Sequence, residues 1–160
     1  SVTFHVRPDA RAVIVLHGLI QRARLAAMID ADRPIVAQAI RYTTTGGLSV
    51  INGAPTPARS WGLAEGYVGN GFHEWLTFLN PNTQPATLLV RLIGPRGHSY
   101  TLSRHEPAHH WDTLSINDRL PTGPVAAMVE ADQPIVVGRT LLFDTGRGLS
   151  TTIGVVLHGP

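Results

Sequence analysis

Apolar and polar residues alternate along most of this chain in short runs, broken every ten residues or so by the 16 glycines and 12 prolines. A period of two places successive side chains on opposite faces of an extended strand, and the runs are filled by β-branched residues. In the first sixty residues the pattern predicts strands over 3–7, 12–19, 24–31, 35–43 and 48–53. From there on it predicts strands over 72–79, 86–93, 99–103, 110–116, 125–131, 135–143 and 151–157. Turns fall at Asn80-Pro81-Asn82, at Gly94-Pro95-Arg96-Gly97 and at Asp144-Thr145-Gly146. Alternation points Val125, Ala127 and Val129 inward, with Met128 and Glu130 on the other face; Leu25, Ala27 and Ile29 follow the same pattern. Leu19–Met28 is the one stretch whose composition tolerates a helix, but the matching stretch later in the chain carries Pro121 and Pro124, which favours a strand.

That match is an internal repeat. Ala26–Ala37 returns as Ala126–Val137 with eight of twelve positions identical, and Gly46-Gly47-Leu48-Ser49 returns as Gly146-Arg147-Gly148-Leu149-Ser150 with one residue inserted. The stretch from Trp61 to Gly97 has no counterpart ahead of the first copy, which is therefore expected to be without its front part. Seven short strands in about 100 residues, with turns at this spacing, predict an immunoglobulin-like antiparallel sandwich. The expected fold is all-β: an incomplete repeat over residues 1–60 and a complete one over residues 61–160, joined by the proline-bearing stretch Ala54–Ser60.

Composition narrows the picture. With 43% hydrophobic and 15% charged residues, the chain has the material for a core and is too apolar for disorder. All 13 basic residues are Arg, and their scatter offers no basic surface of the kind nucleic acid requires. No run of eighteen apolar residues is present, so no membrane-spanning helix is expected. The absence of Cys excludes disulfides and leaves the redox compartment open. The start in strand-like alternation at Ser1 is what a processed chain would show.

From Trp61 the chain reads Trp-Gly-Leu-Ala-Glu-Gly, then Asn80-Pro81, then Pro134-Ile135-Val136. This order resembles a family of tandem β-sandwich repeats of unknown function in secreted and surface proteins of bacteria. The resemblance covers residues 61–160 and, for its latter part, residues 1–60. It implies an extracellular β-sandwich array and no known catalytic chemistry. Gln38-Ala39 and Gly138-Arg139 depart from the Glu-Arg pair that commonly follows in the family.

Candidate chemistry is sparse. His105-Glu106-Pro107-Ala108-His109 matches the His-Glu-x-x-His string of zinc proteases, but that chemistry needs both His on one helix face, and Pro107 stands inside the turn. A polar connection between strands is the simpler reading. Gly66–Gly71 looks like a phosphate loop without its Lys-Ser/Thr ending, and reads as a turn; Glu65 beside it is a single carboxylate, too few for a calcium cage. Trp61, Trp75 and Trp111 would suit a sugar-binding platform if exposed together, and core packing otherwise. No catalytic, cofactor-binding or metal-ligating set is assigned, and the chain is read as a non-enzyme.

The expected function is a structural subunit of an extracellular filament or surface layer, polymerising when a neighbouring copy supplies strands to the incomplete repeat. The assembly interface is assigned to Phe4, Val6, Val13, Val15, Leu25, Ala27 and Ile29, because unpaired strand edges and bare apolar faces are what a partner covers. The alternatives are a glycan-binding or adhesion module, with a cell-surface glycan as partner, or a piece of a longer secreted repeat protein.

Overall fold

The structure is a computed structural model that describes residues 1–20 and 25–158. It is nearly all β, with antiparallel sheets throughout. Ten strands follow in chain order: β1 Gln38–Tyr42, β2 Leu48–Asn52, β3 Ala58–Val68, β4 His73–Asn80, β5 Ala86–Ile93, β6 Ser99–Glu106, β7 His110–Ser115, β8 Gly123–Phe143, β9 Gly148–Ile153 and β10 Val155–Val156. One four-residue helix, α1, covers Leu16–Leu19.

Strand β8 organises the molecule. Its first half lies between β3 and β5, with Val129 opposite Trp61 on one side and opposite Val90 on the other. Its second half lies between β4 and β9, with Leu76 opposite Arg139 and Thr140 opposite Thr151. The sheets therefore run β10-β3-β8-β5-β6 and β9-β8-β4-β7, and one strand passes from the first to the second. The crossing falls at Asp132-Gln133-Pro134, where proline has no N–H to give a ladder. Side chains tie the corner instead: Asp132 Oδ1 accepts from the Thr87 N–H at 2.8 Å, and the Pro134 carbonyl accepts from Asn82 Nδ2 at 2.8 Å. The sequence pattern places a break here between two strands; the backbone bends and continues as one.

The inward positions share one core. Leu88, Val90 and Leu92 from β5, Leu76 and Phe78 from β4, and Val125, Ala127, Val129, Ile135 and Val137 from β8 are buried, while Met128 and Glu130 face out, as alternation requires. Between β3 and β4 the chain reverses at Asn70-Gly71, with φ of 52° and 84°. Positive φ at both central residues is the demand of the hairpin turn that suits strand twist, and Asn-Gly meets it. Strand β3 lies outside the strand prediction; it begins at Ala58, so the end of the expected linker belongs to the sheet.

Before β3 the described residues form one hairpin, β1–β2. Gln38 pairs Asn52 and Ala39 pairs Ile51 in β1–β2, just as Gly138 pairs Ile153 and Arg139 pairs Thr152 in β8–β9. Residues 3–7, 12–19 and 25–31 are not strands; the remaining position of the strand expected over 24–31, Arg24, lies outside the described residues. The physical reason is the missing neighbours. Their counterpart 125–131 is a central strand flanked on both sides, and a strand without a ladder has no partners for its amides.

Candidate assembly and binding surfaces

Paired residues of an antiparallel ladder point to the same side, so the β1–β2 register divides the hairpin into two faces. Ala39, Arg41, Ser49 and Ile51 share one; Gln38, Ile40, Tyr42, Leu48, Val50 and Asn52 share the other. The first face docks on the β8–β9 hairpin. Arg41 Nη1 donates to Thr140 Oγ1 at 2.7 Å, Ser49 Oγ lies 2.7 Å from Thr151 Oγ1, and the Thr151 N–H donates to Ser49 Oγ at 3.0 Å. At the turn, Thr43 Oγ1 donates to the Gly146 carbonyl at 2.6 Å. A β-carbon on Gly47 would stand 2.7 Å from that same carbonyl, so this approach requires glycine. Thr151 is on the outer side of its sheet, yet only 6% exposed, because the docked hairpin covers it.

The two hairpins use opposite faces. Thr140 and Thr151 correspond through the repeat to Ile40 and Val50, which lie on the undocked face of β1–β2. That undocked face stays open: Ile40, Tyr42, Leu48 and Val50 are 55%, 70%, 53% and 49% exposed.

The residues expected to form an assembly interface lie in the irregular part of the chain. Phe4, Val6, Val13, Val15 and Ile29 are exposed large hydrophobics, Ala27 is exposed and Leu25 is half-buried. No ladder among the described residues brings them together. Among the described residues the two sheets end in four strands paired on one side: β6 on β5 and β10 on β3 in the first sheet, β7 on β4 and β9 on β8 in the second.

The tryptophans separate. Trp61 is buried, and its indole N–H is shared between the Ala58 and Ile135 carbonyls, each at 3.0 Å. Trp75 and Trp111 are half-buried on the outer face of the β4–β7 pair, with the Thr77–Thr113 pair between their rows. The two rings stand about 13 Å apart along the strands at ordinary strand rise. The His73 ring stacks on Trp75 at 6.0 Å.

The His-Glu-x-x-His string lies on a strand end and a turn. His105 and Glu106 end β6, and His110 opens β7. Glu106 is buried, and its Oε1 is 2.6 Å from His110 Nδ1. Buried Asn80 clamps the same corner, donating from Nδ2 to the carbonyls of Gln84, Glu106 and Pro107 at 2.9, 3.1 and 3.0 Å. Among the described residues, no group of three or more His, Cys, Asp or Glu side chains is placed to hold a metal ion.

One polar residue stands out that the sequence reading passed over. Glu74 is 1% exposed inside the core, and its Oε2 has no hydrogen-bond partner. Burial pushes its carboxyl up to about 7, against the opposing pull of the Arg139 guanidinium and the Tyr67 backbone N–H. The Trp61–Gly66 segment makes the room. A bulge between Leu63 and Gly66 throws Ala64 and Glu65 outward, with Glu65 at φ 62°, and a β-carbon on Gly66 would lie 2.2 Å from Glu74 Oε2. Arg139 Nη1 donates to the Ala64 carbonyl and holds the bulge from the facing strand. The signal was available in the alternation, where Glu74 falls in phase with Leu76 and Phe78.

No family model and no curated protein matches the chain. Among solved structures, the crystal structure of Thermotoga maritima 1070 is similar over 65% of this chain and 98% of its own, with a TM-score of 0.57 and 24% identity. That likeness shows the fold alone. The Anabaena sensory rhodopsin transducer is similar over 53% of this chain and 83% of its own, with a TM-score of 0.46 and 22% identity, which carries no argument.

Proposed function

We propose that this chain is a non-catalytic structural subunit of an extracellular filament or surface layer, assembled by strand complementation of its incomplete copy. The observation that carries the reading is the fate of residues 25–37. They correspond to Val125–Val137, whose first part is a central strand with a neighbour on each side, yet among the described residues 25–31 join no ladder. Ile29 is 63% exposed where its counterpart Val129 is 0% exposed. Burying such a side chain is worth about 1.5–3 kcal/mol, and a ladder would also satisfy the segment's amides. The strands β3 and β5 of a neighbouring copy already flank its own β8; of its edge strands, β10 is two residues long and β9 carries the docked β1–β2 hairpin, so β6 and β7 are the acceptors. Donor and acceptor lie on different parts of the molecule, and such a heterologous contact propagates as a linear array.

Within this proposal the fold is an immunoglobulin-like sandwich in one complete and one incomplete copy. It is supported by the common hairpin register of the two copies and by the motif order from Trp61 to Val136. Light scattering of the 160-residue chain in dilute neutral buffer, followed by electron microscopy of the same sample, tests the function. Regular filaments that vanish in Ile29→Glu are expected; a monodisperse chain, or filaments indifferent to that substitution, overturns the reading.

A second reading, a glycan-binding or adhesion module, is favoured by Trp75 and Trp111, which share one half-exposed face with threonine hydroxyls between them. Aromatic faces flanked by hydroxyls suit sugar rings. Quenching of tryptophan fluorescence by neutral oligosaccharides, lost in Trp75→Ala, is its test.

A further inference from the structure

We propose that the open face of the β1–β2 hairpin is a self-association surface whose partner is the same face of a second copy of this chain. The face is made of Gln38, Ile40, Tyr42, Leu48, Val50 and Asn52, with no charged residue among them; Arg41 points to the docked side. A two-stranded ribbon cannot cover itself, and its four large apolar side chains are 49–70% exposed. The repeat within the chain indicates what covers such a face. The corresponding face of β8–β9, carrying Thr140 and Thr151, is covered by a second hairpin, β1–β2 itself. The covering side of β1–β2 is used up in that contact, so of the two faces of this hairpin in a second copy the open one is free to meet it.

The match is self-complementary. Equal apolar faces without charge pack across a two-fold axis with no like-charge cost, and sheets stack face to face at about 10 Å. The rows Gln38–Asn52, Ile40–Val50 and Tyr42–Leu48 put the middle row at the axis. Gln38 Nε2 already donates to Asn52 Oδ1 at 2.9 Å, so the polar row at the end brings little unsatisfied hydrogen bonding into the contact. The four side chains offer on the order of 400 Å² per partner, about half of a standard interface, and the neighbouring Ile35 and Val36, both exposed, extend it. The expected product is a weak, concentration-dependent dimer. It differs from the linear array proposed above, which uses residues 25–37 and a sheet edge.

Sedimentation velocity of the whole chain from about 5 to about 500 µM is the test, with Val50→Glu and Ile29→Glu run in parallel. A monomer–dimer step that Val50→Glu weakens at least about tenfold, and that survives in Ile29→Glu, is expected. The chain has no Cys, so Val50→Cys and a control Arg91→Cys, exposed on the outer face of β5, give single reactive sites. A short bismaleimide should link Val50→Cys to itself in proportion to concentration and leave Arg91→Cys monomeric. A monomer at every concentration, a dimer indifferent to Val50→Glu, or equal cross-linking at both sites overturns the proposal. Loss of the array in Ile29→Glu with the dimer intact separates the two readings.

Discussion

Glu74 is a carboxylate that the fold prefers to keep protonated. Its folded-state value of about 7 stands above its ordinary 4.5, because burial disfavours the charge more than Arg139 and the Tyr67 amide favour it. Below pH 4.5 both folded and unfolded chains hold the proton, and Glu74 costs nothing. As pH rises through the interval to 7, the unfolded chain releases the proton first, so stability falls; above 7 the penalty is complete, at about 3 kcal/mol. Glu74→Gln should therefore unfold in urea with little change between pH 5 and pH 8, whereas the parent chain loses midpoint across that range. Equal slopes in the two proteins would show that Glu74 is not the group responsible. Gly66 is its steric counterpart. Gly66→Ala places a methyl group against the Glu74 carboxylate, and a loss of about 1–3 kcal/mol is expected. Glu74→Ala in the same chain should relieve part of it, so the double-mutant cycle must show coupling. At the β6–β7 corner, Asn80→Ala strips a donor from three carbonyls. A cost of about 2–4 kcal/mol in thermal or urea unfolding follows from leaving them unpaired.

Among the elements, β4 to β7 were legible because each strand carries its own period of two and has neighbours to pair with, whereas the strands expected over 125–131 and 135–143 merge into β8 and the one expected over 151–157 divides between β9 and β10. Val125, Ala127 and Val129 are in the core as alternation placed them, and the three predicted turns fall between strands. Strand β3 was obscured by its bulge: Ala64 and Glu65 break the alternation, and four glycines from Gly62 to Gly71 read as loop. Strands expected over residues 3–7, 12–19 and, among the described residues, 25–31 failed for the opposite reason. Their alternation is sound, but a local pattern carries no information on whether a neighbour is present. The docking of β1–β2 on β9 was hidden too, since it rests on Ser49, Thr43 and Arg41, residues that no spacing marks. Ser49→Ala removes both bonds to Thr151. Hydrogen exchange at the Thr151 amide should quicken several-fold, reporting a hairpin held less firmly by about 1 kcal/mol, while the amides of β5 remain unchanged.

At the scale of the whole molecule, one chain contains a closed core and an open remainder. The residues of β3 to β10 bury Trp61, Phe78 and the aliphatic side chains between two sheets, whereas residues 1–36 expose Val2, Val13, Val15, Ile29 and Val36 at more than half of their surface. Exposed apolar area on this scale is what the proposed assembly would cover. Because cooperative units open with free energies set by their own burial, the two parts should exchange amide hydrogens on separate timescales. In dilute chain, residues 25–37 should exchange at nearly the rate of free peptide, while 125–137, eight of twelve positions identical over the repeated block, stay protected to the global limit. This pair is its own control, since intrinsic exchange chemistry is nearly matched and only the neighbours differ. Raising the concentration until the chain assembles should then confer protection on 25–37 by orders of magnitude, beginning at Ala27 and Ile29, whose counterparts are buried. Persistent fast exchange there in an assembled sample would place the contact elsewhere and remove the argument for complementation, and protection in the dilute chain would mean that the first copy closes by itself.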